Sequence, residues 1–239
     1  MAALGLAATP VAVTFSDDAP AGASEPSSRV PAGCEFWELG AEEKLVTQAA
    51  HHQLCSIGIH THNFGEAPTN QDAELTATLA AMRGLDYVRL EEVQALPVME
   101  NPSRFVVYVA LAEAADTPSV VLLFAHAGQG LILTEALTRV DGDSPAALGR
   151  PACALIPQVV NNGRSASSLG CCGARAYLAT FDDSTTLWAL PGGNLEAYVE
   201  AVETFASANG LLRRFHERRR EDVASGKMPS VEESFEYLE

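Results

Sequence analysis

The sequence predicts an α/β or α+β protein, a single compact layered domain in which a mixed sheet is flanked by helices. Three observations predict it. Ser119 to Ala125 is almost wholly apolar, as a central strand covered on both faces must be. That stretch runs straight into His126-Ala127-Gly128-Gln129-Gly130 and a helical pattern ending near Arg139, a strand–turn–helix order. Hydrophobic residues make up 47% of the 239 positions against 19% charged, which is enough apolar material for a sizeable core.

The elements follow in order. Thr9 to Phe15 reads as an opening strand, and the Asp-, Ala-, Pro- and Ser-rich stretch from Ser16 to Pro31 as a surface loop. From Ala41 to His52 the residues Leu45, Val46, Ala49 and Ala50 share one helical face, with Glu42 and Glu43 favouring the first turn. Cys55 to His62 is small and β-tolerant, and Gly65 to Asn70 is turn-prone. A helix is expected from about Asn70 to Arg83-Gly84. Arg104 to Leu111 is a second clear strand, and Cys153 to Val160 and Arg175 to Thr180 are further candidates. Asn194 caps a helix expected to end near Gly210, and a last charged helix reaches about Ser225. Residues 1–225 thus form the domain, and 226–239 an acidic, mobile C-terminal tail.

Charge excludes some partners. Thirty-one acidic residues against 15 basic ones give a formal charge of −16, a field that repels nucleic acid and anionic membrane surfaces. The basic residues Arg213, Arg214, Arg218, Arg219 and Arg220 interleave with Glu217, Glu221 and Asp222, the pattern of an ion-paired helix face. No apolar run is long enough to span a bilayer, and the N-terminus lacks the basic region of a secretory signal. The expected compartment is the cytoplasm, where five cysteines stay reduced unless something binds them.

Those cysteines are the most informative residues. Each stands beside turn chemistry: Pro31-Ala32-Gly33-Cys34, Cys55-Ser56-Ile57-Gly58, Gly149-Arg150-Pro151-Ala152-Cys153 and Ser168-Leu169-Gly170-Cys171-Cys172-Gly173. Glycine lets the backbone come close, so thiols at such turns can approach one another and a shared ion. The order of these elements, with Pro10-Val11-Ala12-Val13-x-Phe15 at the start, Trp37 after Cys34 and His52-x-x-Cys55-x-x-Gly58, resembles the domain of unknown function 169 family, a largely uncharacterised archaeal and bacterial group. Its most specific element is Ser168-Leu169-Gly170-Cys171-x-Gly173-x-Arg175, and the likeness spans Leu4 to about Glu203. The resemblance implies one compact domain and four family-type cysteines, Cys34, Cys55, Cys153 and Cys171. Cys172 falls on a variable position.

Four thiolates narrow the cofactor. Zinc on four cysteines uses two close C-x₂-C pairs, and none exists here. An iron–sulfur cluster accepts ligands from separate turns, provided they converge, and 4Fe–4S is expected ahead of 2Fe–2S. The expected function is cluster binding, as an electron carrier for a redox partner protein or as a cluster-dependent enzyme. The other readings are reduced cysteines in a core with no cofactor, and a cysteine nucleophile served by His52 or His60.

A ligand site is the alternative. Asn161 to Gly170 is nearly free of bulky side chains and exposes backbone N–H groups that can cradle an anion. Arg164, Ser168 and Arg175, with His52, are the candidate residues for a small acidic molecule. The segment lacks the Gly-Lys-Ser/Thr ending of a phosphate-binding loop, and Gly128-x-Gly130 lacks the third glycine of a dinucleotide fingerprint. An ordinary connector, or an accessory subunit docking through its C-terminal helix, accounts for the same residues.

Overall fold

The computed structural model describes residues 4–6, 8–26, 33–52, 55–64, 71–148, 151–168, 182 and 184–238. Their centre is a seven-stranded mixed sheet of β1 (Val11–Ser16), β2 (Leu45–Thr47), β3 (Phe105–Ala110), β4 (Val120–His126), β5 (Ala146–Leu148), β6 (Ala166–Ser168) and β7 (Thr185–Pro191). The spatial order is β2-β3-β1-β4-β7-β6-β5; β5 and β6 run parallel and every other neighbouring pair antiparallel.

The strand side chains build two cores, because successive residues point to opposite faces. On β4, Val120, Leu122 and Phe124 enter one core, and Val121, Leu123 and Ala125 the other. The predicted double coverage of this strand is therefore correct. One face is covered by α1 (Glu35–Glu42), α2 (Ser56–His62) and α6 (Leu155–Asn162), which contribute Phe36, Trp37, Ile59, Leu155 and Ile156. The opposite face carries α5 (Ala127–Asp141) and α7 (Leu195–Ala224), with Leu133, Leu137, Tyr198 and Val202. Helices α3 (Gln71–Gly84) and α4 (Leu90–Gln94) lie between α2 and β3 in the chain.

The first strand, the helix closing at Gly84, the strands at 105–110 and 120–126 and the helix after His126 stand where the sequence puts them. Four expectations need correction. The helix expected over Ala41 to His52 is instead the end of α1, then β2 and a 3-10 turn at Ala49–His52. Leu45, Val46 and Thr47 pair with Tyr108, Val107 and Val106, and a half-buried edge suits these residues as well as a helix face does. Cys55 to His62 is helical rather than extended. Cys153 to Val160 is a 3-10 turn (Ala152–Ala154) leading into α6, with Pro157 tolerated in the first turn. Short apolar runs do not distinguish buried strand from buried helix.

The fourth correction concerns the C-terminus. Gly210 ends nothing: α7 continues through it for 30 residues, roughly 45 Å. Val231–Phe235 forms a further short helix, α8, that folds back on α7. Phe235 stacks on Phe215 with ring centroids 6.4 Å apart, and the Tyr237 hydroxyl donates to Asp222 Oδ2 at 2.9 Å. The strand expected over Arg175 to Thr180 and the turn over Gly65 to Asn70 lie outside the described residues. No helix among the described residues is long and apolar enough to cross a membrane.

Candidate functional site

Three of the four predicted cysteines lie on one side of the sheet, each at the start of a helix. Cys34 is the N-cap of α1, Cys55 the N-cap of α2, and Cys153 sits in the 3-10 turn that opens α6. At the start of α1 the first-turn N–H groups close tight turns, Phe36 donating to the Gly33 carbonyl at 3.2 Å and Trp37 to the Cys34 carbonyl at 3.1 Å. Cys34 and Cys153 are buried, and Cys55 is half-buried. Cys171 and Cys172 lie outside the described residues.

Tyr108 of β3 lies close to two of these cysteines, Cys34 and Cys153. It is fully buried, and its hydroxyl faces Trp37 and Thr47, with Cys34 and Cys153 close enough to influence its charge. Burial pushes its phenol well above the ordinary range, so it stays protonated. Helix α1 reaches β3 through Gly40: a Cβ there would stand 2.5 Å from Tyr108 Cβ. That close approach sets Phe36 and Trp37 into the core and carries Cys34 with them.

The other flank is imidazole. His52, at the end of the 3-10 turn, is fully buried between Phe36 and Phe64, at 4.8 and 5.0 Å between ring centroids, and stands 5.6 Å from His62. Its Nε2 lies 3.2 Å from Thr47 Oγ1, and that hydroxyl in turn donates to the Val106 carbonyl. The proton is therefore on Nε2, and Nδ1 presents a lone pair that meets no hydrogen-bond donor among the described residues. His62 is the reverse case: Nδ1 donates to the Gly58 carbonyl at 2.9 Å, and Nε2 is buried with no partner among the described residues. Burial, first of all, holds both rings neutral, with His62 lowered to about 4. A buried polar atom without a partner costs about 1–3 kcal/mol, so two within one core call for an explanation.

His52 Nδ1 and the Cys55 thiol both approach Gly58. The spot where a Cβ on Gly58 would stand is 2.9 Å from Cys55 Sγ and 3.6 Å from His52 Nδ1. The three-residue spacing of His52 and Cys55 thus does bring the two side chains to one place, across the junction of a 3-10 turn and a helix. His62 was not among the site residues the sequence offered; the helix buries it and leaves His60 half-buried. Nor were Tyr108 and Thr47, which carry no motif and join the site only through the register of β2 and β3.

The segment from Asn161 to Gly170 is not one open loop. Asn161 and Asn162 end α6, Gly163 caps it with φ +62°, and Ala166–Ser168 is β6. Arg164 is exposed and lies 3.8 Å from Asp143, while Ser168 is buried at the end of its strand. Arg175 lies outside the described residues. Two open clefts, of about 520 and 510 Å³, occur elsewhere and include Asp116 with Glu196, and Glu38 with Asp182, in their walls; neither is lined by His52 or a cysteine.

Among the described residues, no group of three or more His, Cys, Asp or Glu side chains is placed to hold a single metal ion.

No curated protein and no solved structure matches the chain. A family model does match, over residues 1–201, and its description is Uncharacterised ArCR. With most of the chain covered, including every candidate cysteine, it belongs to the domain of unknown function 169 family.

Proposed function

We propose that this protein binds an iron–sulfur cluster through Cys34, Cys55, Cys153 and Cys171, and works as an electron carrier or a cluster-dependent enzyme. The observation that carries this reading is that Cys34, Cys55 and Cys153 all stand at helix starts on one face of the sheet. They come from positions far apart in the chain, yet Cys34 and Cys153 share Tyr108 as a neighbour, and α2, which Cys55 caps, packs on the turn that holds Cys153. Buried, turn-borne thiols suit a cluster, because burial sets its potential and keeps water from it.

The test is anaerobic purification followed by an absorption spectrum and iron and acid-labile sulfide analysis. A brown protein with stoichiometric iron and sulfide supports the reading. A colourless protein without either, both as isolated and after reconstitution with ferrous iron and sulfide, rejects it.

A further inference from the structure

We infer that the C-terminal hairpin of α7 and α8 docks a second copy of this chain, the basic face of α7 in one copy receiving the acidic α8 of the other.

The hairpin lies beyond residues 1–201, which the family model matches, and two kinds of exposure concentrate in it. The first is charge. Residues 213–220 hold five of the chain's 15 basic residues against Glu217 alone, in a chain whose formal charge is −16. All five arginines are exposed, and among the described residues only Arg218 forms an ion pair, with Asp222 at 3.8 Å. The second is apolar surface. Of the eight large apolar side chains exposed among the described residues, five are here: Leu212 and Val223 on α7, Met228 in the connection, and Val231 and Phe235 on α8.

Helical spacing sorts these residues. At 3.6 residues per turn, Leu212, His216, Arg219 and Val223 form one stripe along α7, with Arg213 and Arg220 at its edge. Phe215 and Asp222 fall on a different side, where Phe235 stacks on the first and Tyr237 donates to the second. The stripe is therefore left uncovered by α8, and its two apolar residues stand among cations. On α8 the sign is reversed: Val231 and Phe235 stand among exposed Glu232, Glu233 and Glu236.

Within one chain these faces do not meet, because α8 packs on α7 through Phe215 and Asp222. Two copies related by a two-fold axis bring them together, and symmetry makes the contact twice, so the assembly closes as a dimer. Opposite charges set the pairing and its register, and the apolar residues and arginines supply side chains suited to an interface core.

Sedimentation velocity on the full-length protein at low ionic strength tests this. The expected species has twice the mass of one chain and shifts to monomer as salt rises, because screening weakens exposed charge pairs. Arg213→Glu with Arg220→Glu should be monomeric, and so should Glu232→Arg with Glu236→Arg. Mixing these two variants should restore a dimer containing one of each, since both contacts then join opposite charges. Leu212→Asp with Val223→Asp, at positions exposed in the monomer, should also lose the dimer with circular dichroism unchanged, and this pair decides should an α8 variant misfold. A wild type that stays monomeric at every concentration overturns the inference, as does a dimer that survives both charge reversals. A monomer that instead binds a different acidic protein or anionic lipid vesicles through α7 overturns it too.

Discussion

His52 Nδ1 stands 2.5 Å, and its Cε1 2.9 Å, from the place a Gly33 Cβ would take, so the two residues meet with no room for one more carbon. Gly33→Ala must push a fully buried ring, wedged between Phe36 and Phe64, out of its position. The expected cost is about 1–3 kcal/mol, read as a lowered midpoint in chemical denaturation. Gly84→Ala, where a Cβ meets nothing within 4 Å, is the control and should not fall.

Serine at Cys34, Cys55, Cys153 or Cys171 should each lower iron and sulfide per chain, since serine is a poor ligand for cluster iron. Cys172→Ser should leave both unchanged. Equal iron content across all five variants would contradict the ligand assignment.

Stability of the metal-free protein should depend on pH through His52 and His62. Burial lowers both below the ordinary histidine value, His62 to about 4, so between roughly pH 6.5 and 4 the unfolded chain binds more protons than the folded one. Stability is therefore full above about pH 6.5 and falls as the pH drops towards 4, by roughly 3 kcal/mol for His62 alone. Urea titrations across this window should show the decline, and His62→Gln should flatten it.

Asp141, at the end of α5, accepts from Ser165 through both its backbone N–H, at 2.9 Å, and its hydroxyl, and from the Tyr198 hydroxyl at 2.5 Å. It ties α5, the approach to β6 and α7 together. Asp141→Ala leaves three donors without their acceptor and should lower stability by about 2–3 kcal/mol. Tyr198→Phe, which removes one of them, should cost less, and thermal denaturation of the two variants ranks them.

Gly210 lies inside α7 with open space around it. Gly210→Ala should stabilise the protein by about 0.5–1 kcal/mol, because alanine restricts the unfolded chain and costs the helix nothing. A lowered melting temperature would show that the glycine has a role in contacts outside this chain.

Much of the candidate site was legible in one dimension. Cys34, Cys55 and Cys153 each stand beside glycine or proline in the sequence, and each proves to sit at a helix start, where turn chemistry and chain reversal coincide. His52 and Cys55 were legible as a pair. The elements around them were not. Leu45-Val46-Thr47 and Cys153 to Val160 are apolar runs too short to declare a period, and neighbours settled them: β3 offered the first a strand edge, and the sheet face offered the second a helix seat.

The sequence by itself determined the layered α/β architecture and the strands whose apolar run exceeds any ambiguity, Val120 to His126 above all, together with the turn-borne thiols. Only the tertiary structure decided that three of those thiols share a sheet face, that Tyr108 lies by two of them, and that His52 and His62 are neutral, each with one nitrogen unpartnered among the described residues. The physical reason is that local order follows from neighbours along the chain. Burial and the tautomer of a ring depend instead on residues such as Thr47 and Gly33, which only folding brings against it.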